Sequence, residues 1–88
     1  MIAKKIEERP WGRFYVIQDE SLYKLKRIEV DPGHRISYQY HNKRSEVWTI
    51  IDGEGYITLD GKVNKYSKGE TVLIPKGIKH RIENKGSE

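Results

Sequence analysis

Apolar residues alternate with polar ones along most of this chain, and the alternating runs are short. Period two is the signature of strands with one face buried. No stretch carries the 3.6-residue period of an amphipathic helix. The pattern predicts strands over Arg13–Gln18, Leu22–Val30, Arg35–His41, Glu46–Ile51, Gly55–Leu59, Val63–Tyr66, Thr71–Ile74 and Lys79–Glu83. The breaks between them have turn chemistry. Asp31-Pro32-Gly33 combines a preset proline φ with a glycine free to take a positive one. Asp60-Gly61 between two short runs predicts a tight hairpin with a type I′ turn, and Asp52-Gly53 marks a similar break one strand earlier. Pro75-Lys76-Gly77 stops a strand, because proline has no N–H to give a ladder. Short strands with frequent turns predict an all-β chain, folded as a small barrel or jelly roll.

Strand parity then sorts the side chains. Over Arg35–His41, one face receives Arg35, Ser37, Gln39 and His41, and the other Ile36, Tyr38 and Tyr40. Glu46 shares a face with Trp48 and Ile50, opposite Val47, Thr49 and Ile51. His80, Ile82 and Asn84 share a face late in the chain, opposite Arg81 and Glu83. His41 and Glu46 are an odd number of residues apart. They converge only if Asn42–Ser45 turns the chain. If they do, SYQYHNKRSEVW brings an amide, an imidazole and a carboxylate together, and a second imidazole could join them. Such a mixed N/O set suits a divalent first-row metal. The spacing alone leaves two readings open, a solvated loop and a metal site.

Composition narrows the class. The 88 residues allow one domain, 1–88, with 1–8 and 85–88 expected as frayed ends. Only 35% of the residues are hydrophobic, so a second protomer or a bound metal would help stability. The chain has no cysteine, which excludes disulfides, thiolate metal sites and cysteine nucleophiles, and fits a cytoplasmic location. No apolar run nears the ~20 residues of a membrane span, and the N-terminal residues lack the apolar core of a secretory signal. The net charge of +4 comes from scattered basic residues. They form no stripe of the kind that binds nucleic acid. They do suit a small anion such as a sugar phosphate.

Two motifs occur in order. Gly33-x5-Gln39-x-His41-x4-Glu46-x6-Gly53 resembles the first cupin motif, with Gln in place of the usual first His. Gly69-x5-Pro75-x-Gly77-x2-His80-x3-Asn84 resembles the second. Arg9-Pro10-Trp11-Gly12, Lys26-Arg27-Ile28-x-Val30-x-Pro32-Gly33, Arg44-Ser45-Glu46-x-Trp48 and Ile74-Pro75-x-Gly77-x2-His80-Arg81-Ile82-Glu83-Asn84 narrow the resemblance. Together they look like the type II mannose-6-phosphate isomerase domain, often the C-terminal part of an enzyme that is also a mannose-1-phosphate guanylyltransferase. Gln at the first ligand position is usual in that family.

The resemblance implies a double-stranded β-helix, the cupin jelly-roll barrel. It implies a divalent metal, zinc or else cobalt, manganese, nickel or iron, held by Gln39, His41, Glu46 and His80. It also implies interconversion of mannose 6-phosphate and fructose 6-phosphate through an enediol. Arg35 is the first candidate for phosphate or oxyanion binding, since parity puts it on the ligand face; Arg44 and Arg81 follow. No general base is assigned, and Glu46 would serve only if the metal left it free. Trp11 packs outside the barrel or closes its mouth, and Trp48 is cavity floor or core.

Three features depart from the family. Val47 stands where many members have His. No Gly-rich nucleotide loop is present, so nucleotidyl transfer is not expected of this chain. Members usually continue into a further strand after the second motif. An unpaired edge is therefore expected here, covered by a second protomer in a homodimer. The competing functions are a non-catalytic module that binds metal and a sugar phosphate or nucleotide sugar, a cupin with other metal-dependent chemistry such as oxygen-dependent cleavage, and a purely structural dimerisation domain.

Overall fold

The computed structural model describes residues 5–86, and these form eight antiparallel strands with no helix among them. The strands are β1 (Lys5–Arg9), β2 (Gly12–Asp19), β3 (Lys24–Val30), β4 (Glu46–Thr49), β5 (Glu54–Leu59), β6 (Lys62–Ser67), β7 (Thr71–Ile74) and β8 (His80–Glu83). They pair in the orders β1-β2-β3, β4-β7 and β6-β5-β8. The all-β prediction holds, and seven predicted strands appear within two residues of their expected ends.

Two expectations fail. Residues 5–8 are not frayed: they form β1, paired with β2 across a Pro10-Trp11 turn in which Arg9 stands opposite Gly12. Charged side chains suit an edge strand, which is why Lys5–Arg9 does not look like one by apolar alternation. Residues 1–4 and 87–88 lie outside the described part. Arg35–His41 is the second failure, because it is not a regular strand. It touches β8 only through isolated bridges, Arg35 to Glu83 and Gln39 to His80. The irregularity resets parity. Ile36 turns inward and is 4% exposed, while Arg35 is exposed, so Arg35 does not share the ligand face.

The turns behave as their residues require. Asp60 and Gly61 both take positive φ, 49° and 82°, as a type I′ hairpin demands. Gly12 has a different reason to be glycine. Its φ is 147°, and a side chain there would overlap the backbone carbonyl of Glu29 on β3. That close approach sets the β2–β3 register in which Gly12 faces Val30 and Val16 faces Lys26.

The core is small. Val16, Ile36, Ile50, Ile57 and Ile74 are its buried apolar side chains, joined by the polar His80 and Asn84. Asn84 Nδ2 donates to the Val30 carbonyl at 2.7 Å, tying the end of β8 to the end of β3. Among the described residues β3 pairs as a strand only with β2, and β4 only with β7. Between β3 and β4 lies an open cleft of about 1020 Å³ whose lining includes Leu25, Lys26, Ile28, Val47, Trp48 and Ile51.

Gly12→Ala is expected to lower stability by more than about 1 kcal/mol, since it adds a steric clash to a left-handed φ. Urea unfolding at matched m-value checks this, with the exposed loop change Lys43→Ala as the neutral reference.

Candidate metal centre

Three elements meet at the site. His80 opens β8, and its backbone exchanges two hydrogen bonds with Gln39: His80 N–H to Gln39 O at 2.8 Å and Gln39 N–H to His80 O at 3.1 Å. Directly opposed residues of an antiparallel pair project to the same side. His41 follows, its carbonyl accepting from Gly77 N–H at 2.8 Å, so the Pro75–Gly77 turn holds the loop in place. The chain then bends through Asn42–Ser45, as the odd spacing requires, and Glu46 enters at the start of β4.

The ligand atoms of His41, Glu46 and His80 lie within 4.8 Å of one another. His41 Nε2 is 3.6 Å from Glu46 Oε2, and His80 Nε2 is 3.8 Å from Glu46 Oε1. Donors bound about 2.0–2.2 Å from one ion stand no more than about 4.4 Å apart, so both spacings suit a shared cation. Second contacts fix the donors. His80 is 2% exposed. Its Nδ1 donates to the Ile78 carbonyl at 2.9 Å, which leaves the Nε2 lone pair directed at the site. Glu46 Oε1 accepts from Trp48 Nε1 at 2.9 Å, and the Trp48 ring stands edge-on to His80 at 5.5 Å. Burial, then the nearby Arg44 charge, holds the His41 imidazole below its usual pKa, outweighing the opposite pull of Glu46. A neutral imidazole is the form that binds metal.

The triad already holds a cation. Arg44 Nε donates to Glu46 Oε2 at 2.9 Å, and Arg44 Nη2 lies 3.0 Å from His41 Nε2. The guanidinium therefore bridges the same two atoms a metal would use. The His41, Glu46 and His80 donors thus fit a divalent cation in spacing and tautomer.

Of the residues expected from sequence, the structure brings together His41, Glu46, His80 and Arg44. Gln39 is placed beside His80 by its backbone, but its amide nitrogen turns toward Ser37, at 3.4 Å from both O and Oγ. Arg81 points elsewhere: its Nε donates to the Ile36 carbonyl at 3.0 Å and its guanidinium lies 5.5 Å from the centre of the Tyr38 ring. Tyr38 and Tyr40 are on the surface, 39% and 53% exposed. His34 is an exposed loop residue whose Nδ1 meets the Pro32 carbonyl. Arg9–Gly12 is the β1–β2 turn. Sequence reasoning left Trp48 between floor and core, and its bond to Glu46 gives it a positioning role. It passed over Lys26, although alternation in LKRIEV already puts Lys26 on one face with Ile28 and Val30.

A small antiparallel β structure with two motif-borne histidines and a glutamate at one point defines a cupin jelly roll with a candidate His/Glu metal triad. A cupin-2 domain containing protein from Shewanella frigidimarina superposes with a TM-score of 0.73 over 91% of this chain and 76% of that one, at 24% identity, which supports the fold. The chain belongs to the family described as Mannose-6-phosphate isomerase C-terminal, whose profile matches residues 3–88. It is 45% identical over 78 residues to a mannose-1-phosphate guanylyltransferase of Salmonella montevideo, covering 89% of this chain and 17% of that enzyme. A mannose-1-phosphate guanylyltransferase of Escherichia coli K12 is 38% identical over the same share of this chain, which is 16% of its own length. The chain thus spans about a sixth of the curated relatives it matches.

Metal titration tests the triad. His41→Ala is expected to abolish stoichiometric Zn²⁺ binding, and Arg44→Gln to tighten it by up to about tenfold by removing an internal cation that competes for the same atoms. Calorimetry on metal-stripped protein at pH 7 reads both; unchanged metal content in His41→Ala would rule the triad out.

Proposed function

We propose that this domain is a metal-dependent sugar-phosphate isomerase that interconverts mannose 6-phosphate and fructose 6-phosphate. The His41–Glu46–His80 cluster carries the reading, because it occurs in a chain of the mannose-6-phosphate isomerase C-terminal family. Gln39 would be the fourth ligand, supplied by rotation of its amide away from Ser37.

Aldose–ketose exchange moves a proton between adjacent carbons through an enediol, and charge develops on the neighbouring oxygens. A divalent ion in this triad would supply Lewis-acid polarisation of those oxygens. The chain's own residues do the rest. His80, fixed by Ile78, and Glu46, fixed by Trp48, keep the donors preorganised. Arg44 carries positive charge at the mouth of the site, where developing oxyanion charge would be stabilised. The neighbouring cleft between β3 and β4 offers room for a sugar.

The partners proposed are the sugar phosphate and a second copy of the chain. Among the described residues β7 pairs only with β4, and its unpaired edge, with Leu73 exposed on it, supports self-association.

Conversion of mannose 6-phosphate to fructose 6-phosphate should appear with Zn²⁺, Co²⁺ or Mn²⁺ and vanish with chelator. His41→Ala should lower kcat/KM by more than the 10–100-fold that loss of a merely orienting partner costs, so by over about a hundredfold. Tight metal binding without turnover on any of the three ions would assign the domain to the non-catalytic binding modules. Analytical ultracentrifugation should find a dimer, and a monomer from micromolar to millimolar concentration would refute the self-association.

A further inference from the structure

Lys26 is a half-buried cation without a carboxylate of its own. It stands opposite Val16 in the β2–β3 register, and Val16 is 7% exposed, so Lys26 lies on the face of β3 turned toward the core. Its Nζ rests 4.8 Å from the centre of the Phe14 ring. Among the described residues it forms no ion pair within 4 Å.

The surrounding acids are already engaged. Glu7 pairs with Lys5 and Arg9, and Asp19 with Lys24. Glu29 pairs with Arg13 and Arg27, and Glu46 with Arg44. Lys26 is left with another cation as a neighbour. Burial pushes its pKa down, then the charges of Arg44 and Lys24 do the same, with Glu46 and Glu7 pulling less strongly the other way. Lys26 is in turn one of the charges that disfavour protonation of His41. It therefore sits within electrostatic reach of the triad and lines the same cleft as Trp48, whose indole holds Glu46. A partly desolvated ammonium within electrostatic reach of a guanidinium is an unfavourable arrangement with nothing bound between them. A multiply charged anion placed between the two would reverse it.

We propose that Lys26 anchors the phosphate group of an anionic substrate beside the triad, with Arg44 as the second cation and with neither Arg35 nor Arg81 taking part. The assignment rests on the isomerase reading for its sugar phosphate but not for its anion. Arg35 is exposed, and Arg81 spends its guanidinium on Ile36 and Tyr38. Among the described residues Lys26 is a half-buried cation with no carboxylate within 4 Å, and its charge reaches His41.

Inorganic phosphate is the probe. Full-length protein, metal-free and Zn²⁺-loaded, is titrated with phosphate by calorimetry, and the Lys26 side-chain amine is followed by NMR. Lys26→Met should weaken phosphate binding by about tenfold or more, the worth of one charge-assisted hydrogen bond. Lys26→Arg should restore most of it, and Lys24→Met, which removes only the partner of Asp19, should change little. In the wild-type protein, phosphate should shift the Lys26 amine resonance, a readout that does not depend on any variant folding. Phosphate affinity unchanged in Lys26→Met, or no shift of that resonance, would overturn the proposal. The two readings fail separately. Phosphate binding lost in Lys26→Met without isomerase activity in the wild type sustains the anion site and removes the isomerase. Turnover of mannose 6-phosphate with the same KM in Lys26→Met does the reverse.

Discussion

Two backbone hydrogen bonds between Gln39 and His80, at 2.8 and 3.1 Å, are the join on which this molecule depends. They fasten the irregular segment after the Asp31–Gly33 turn onto β8, and so bring the first motif against the second. The joint is reinforced on both sides, by Ile36 N–H to the Ile82 carbonyl at 3.1 Å and by Gly77 N–H to the His41 carbonyl at 2.8 Å. Without it the two halves would each keep their hairpins, since β1-β2-β3 and β5-β6 are paired locally. They would not keep a common site. The donor atoms of His41 and Glu46 come from one side of the joint and that of His80 from the other.

The fold was largely legible because its turns are chemically specific. Asp60-Gly61 demands positive φ twice, and the chain supplies it. The face assignments in β4 and β8 followed from simple alternation: Glu46, Trp48 and Ile50 are turned in, Val47 and Ile51 out, and His80 and Asn84 are buried. Alternation failed where hydrogen bonding becomes irregular. Between Arg35 and Gln39 the chain makes bridges instead of a ladder, so Ile36 and not Arg35 turns inward. That one slip is why parity put Arg35 on the ligand face, whereas the structure leaves it exposed. Lys5–Arg9 escaped notice for a different reason: an edge strand needs a partner's N–H and C=O more than an apolar face. The triad was legible only through two motifs far apart in sequence, since spacing within SYQYHNKRSEVW is equally compatible with a solvated loop. The bridging of Arg44 between His41 and Glu46 could not be read from spacing at all, because it depends on how the Asn42–Ser45 bend aims a long side chain.

Charge is distributed unevenly in a way that composition hides. A net charge of +4 sounds like a diffusely basic surface. On the β1-β2-β3 sheet, however, most cations are committed to acids, across strands as Arg13 is to Glu29 at 2.9 Å and Lys24 to Asp19 at 3.7 Å, or along one as Arg27 is to Glu29 at 2.7 Å. Surface pairs of this kind do little for stability. Their effect is to consume the acids. What remains without a carboxylate within 4 Å among the described residues is Lys26 on the inner face of β3, while Arg44 at the mouth serves Glu46.

The site is also part of the core, which couples chemistry to stability. Five apolar side chains are buried, and His80 at 2% exposure is as deep as most of them. A buried imidazole is tolerable only with its polar atoms engaged. One nitrogen is satisfied by Ile78 and the other faces Glu46 at 3.8 Å, and no described side-chain nitrogen or oxygen is buried without a partner. A cation at that point would give His80 and Glu46 a shared partner, and an anion beside it would offset the repulsion between Lys26 and Arg44. Any ligand that binds the folded chain and not the unfolded one stabilises it by mass action. In a domain with so little apolar mass, that contribution is a large share of the whole. The residues that make the site costly when empty are therefore the ones through which its ligands would hold the fold together.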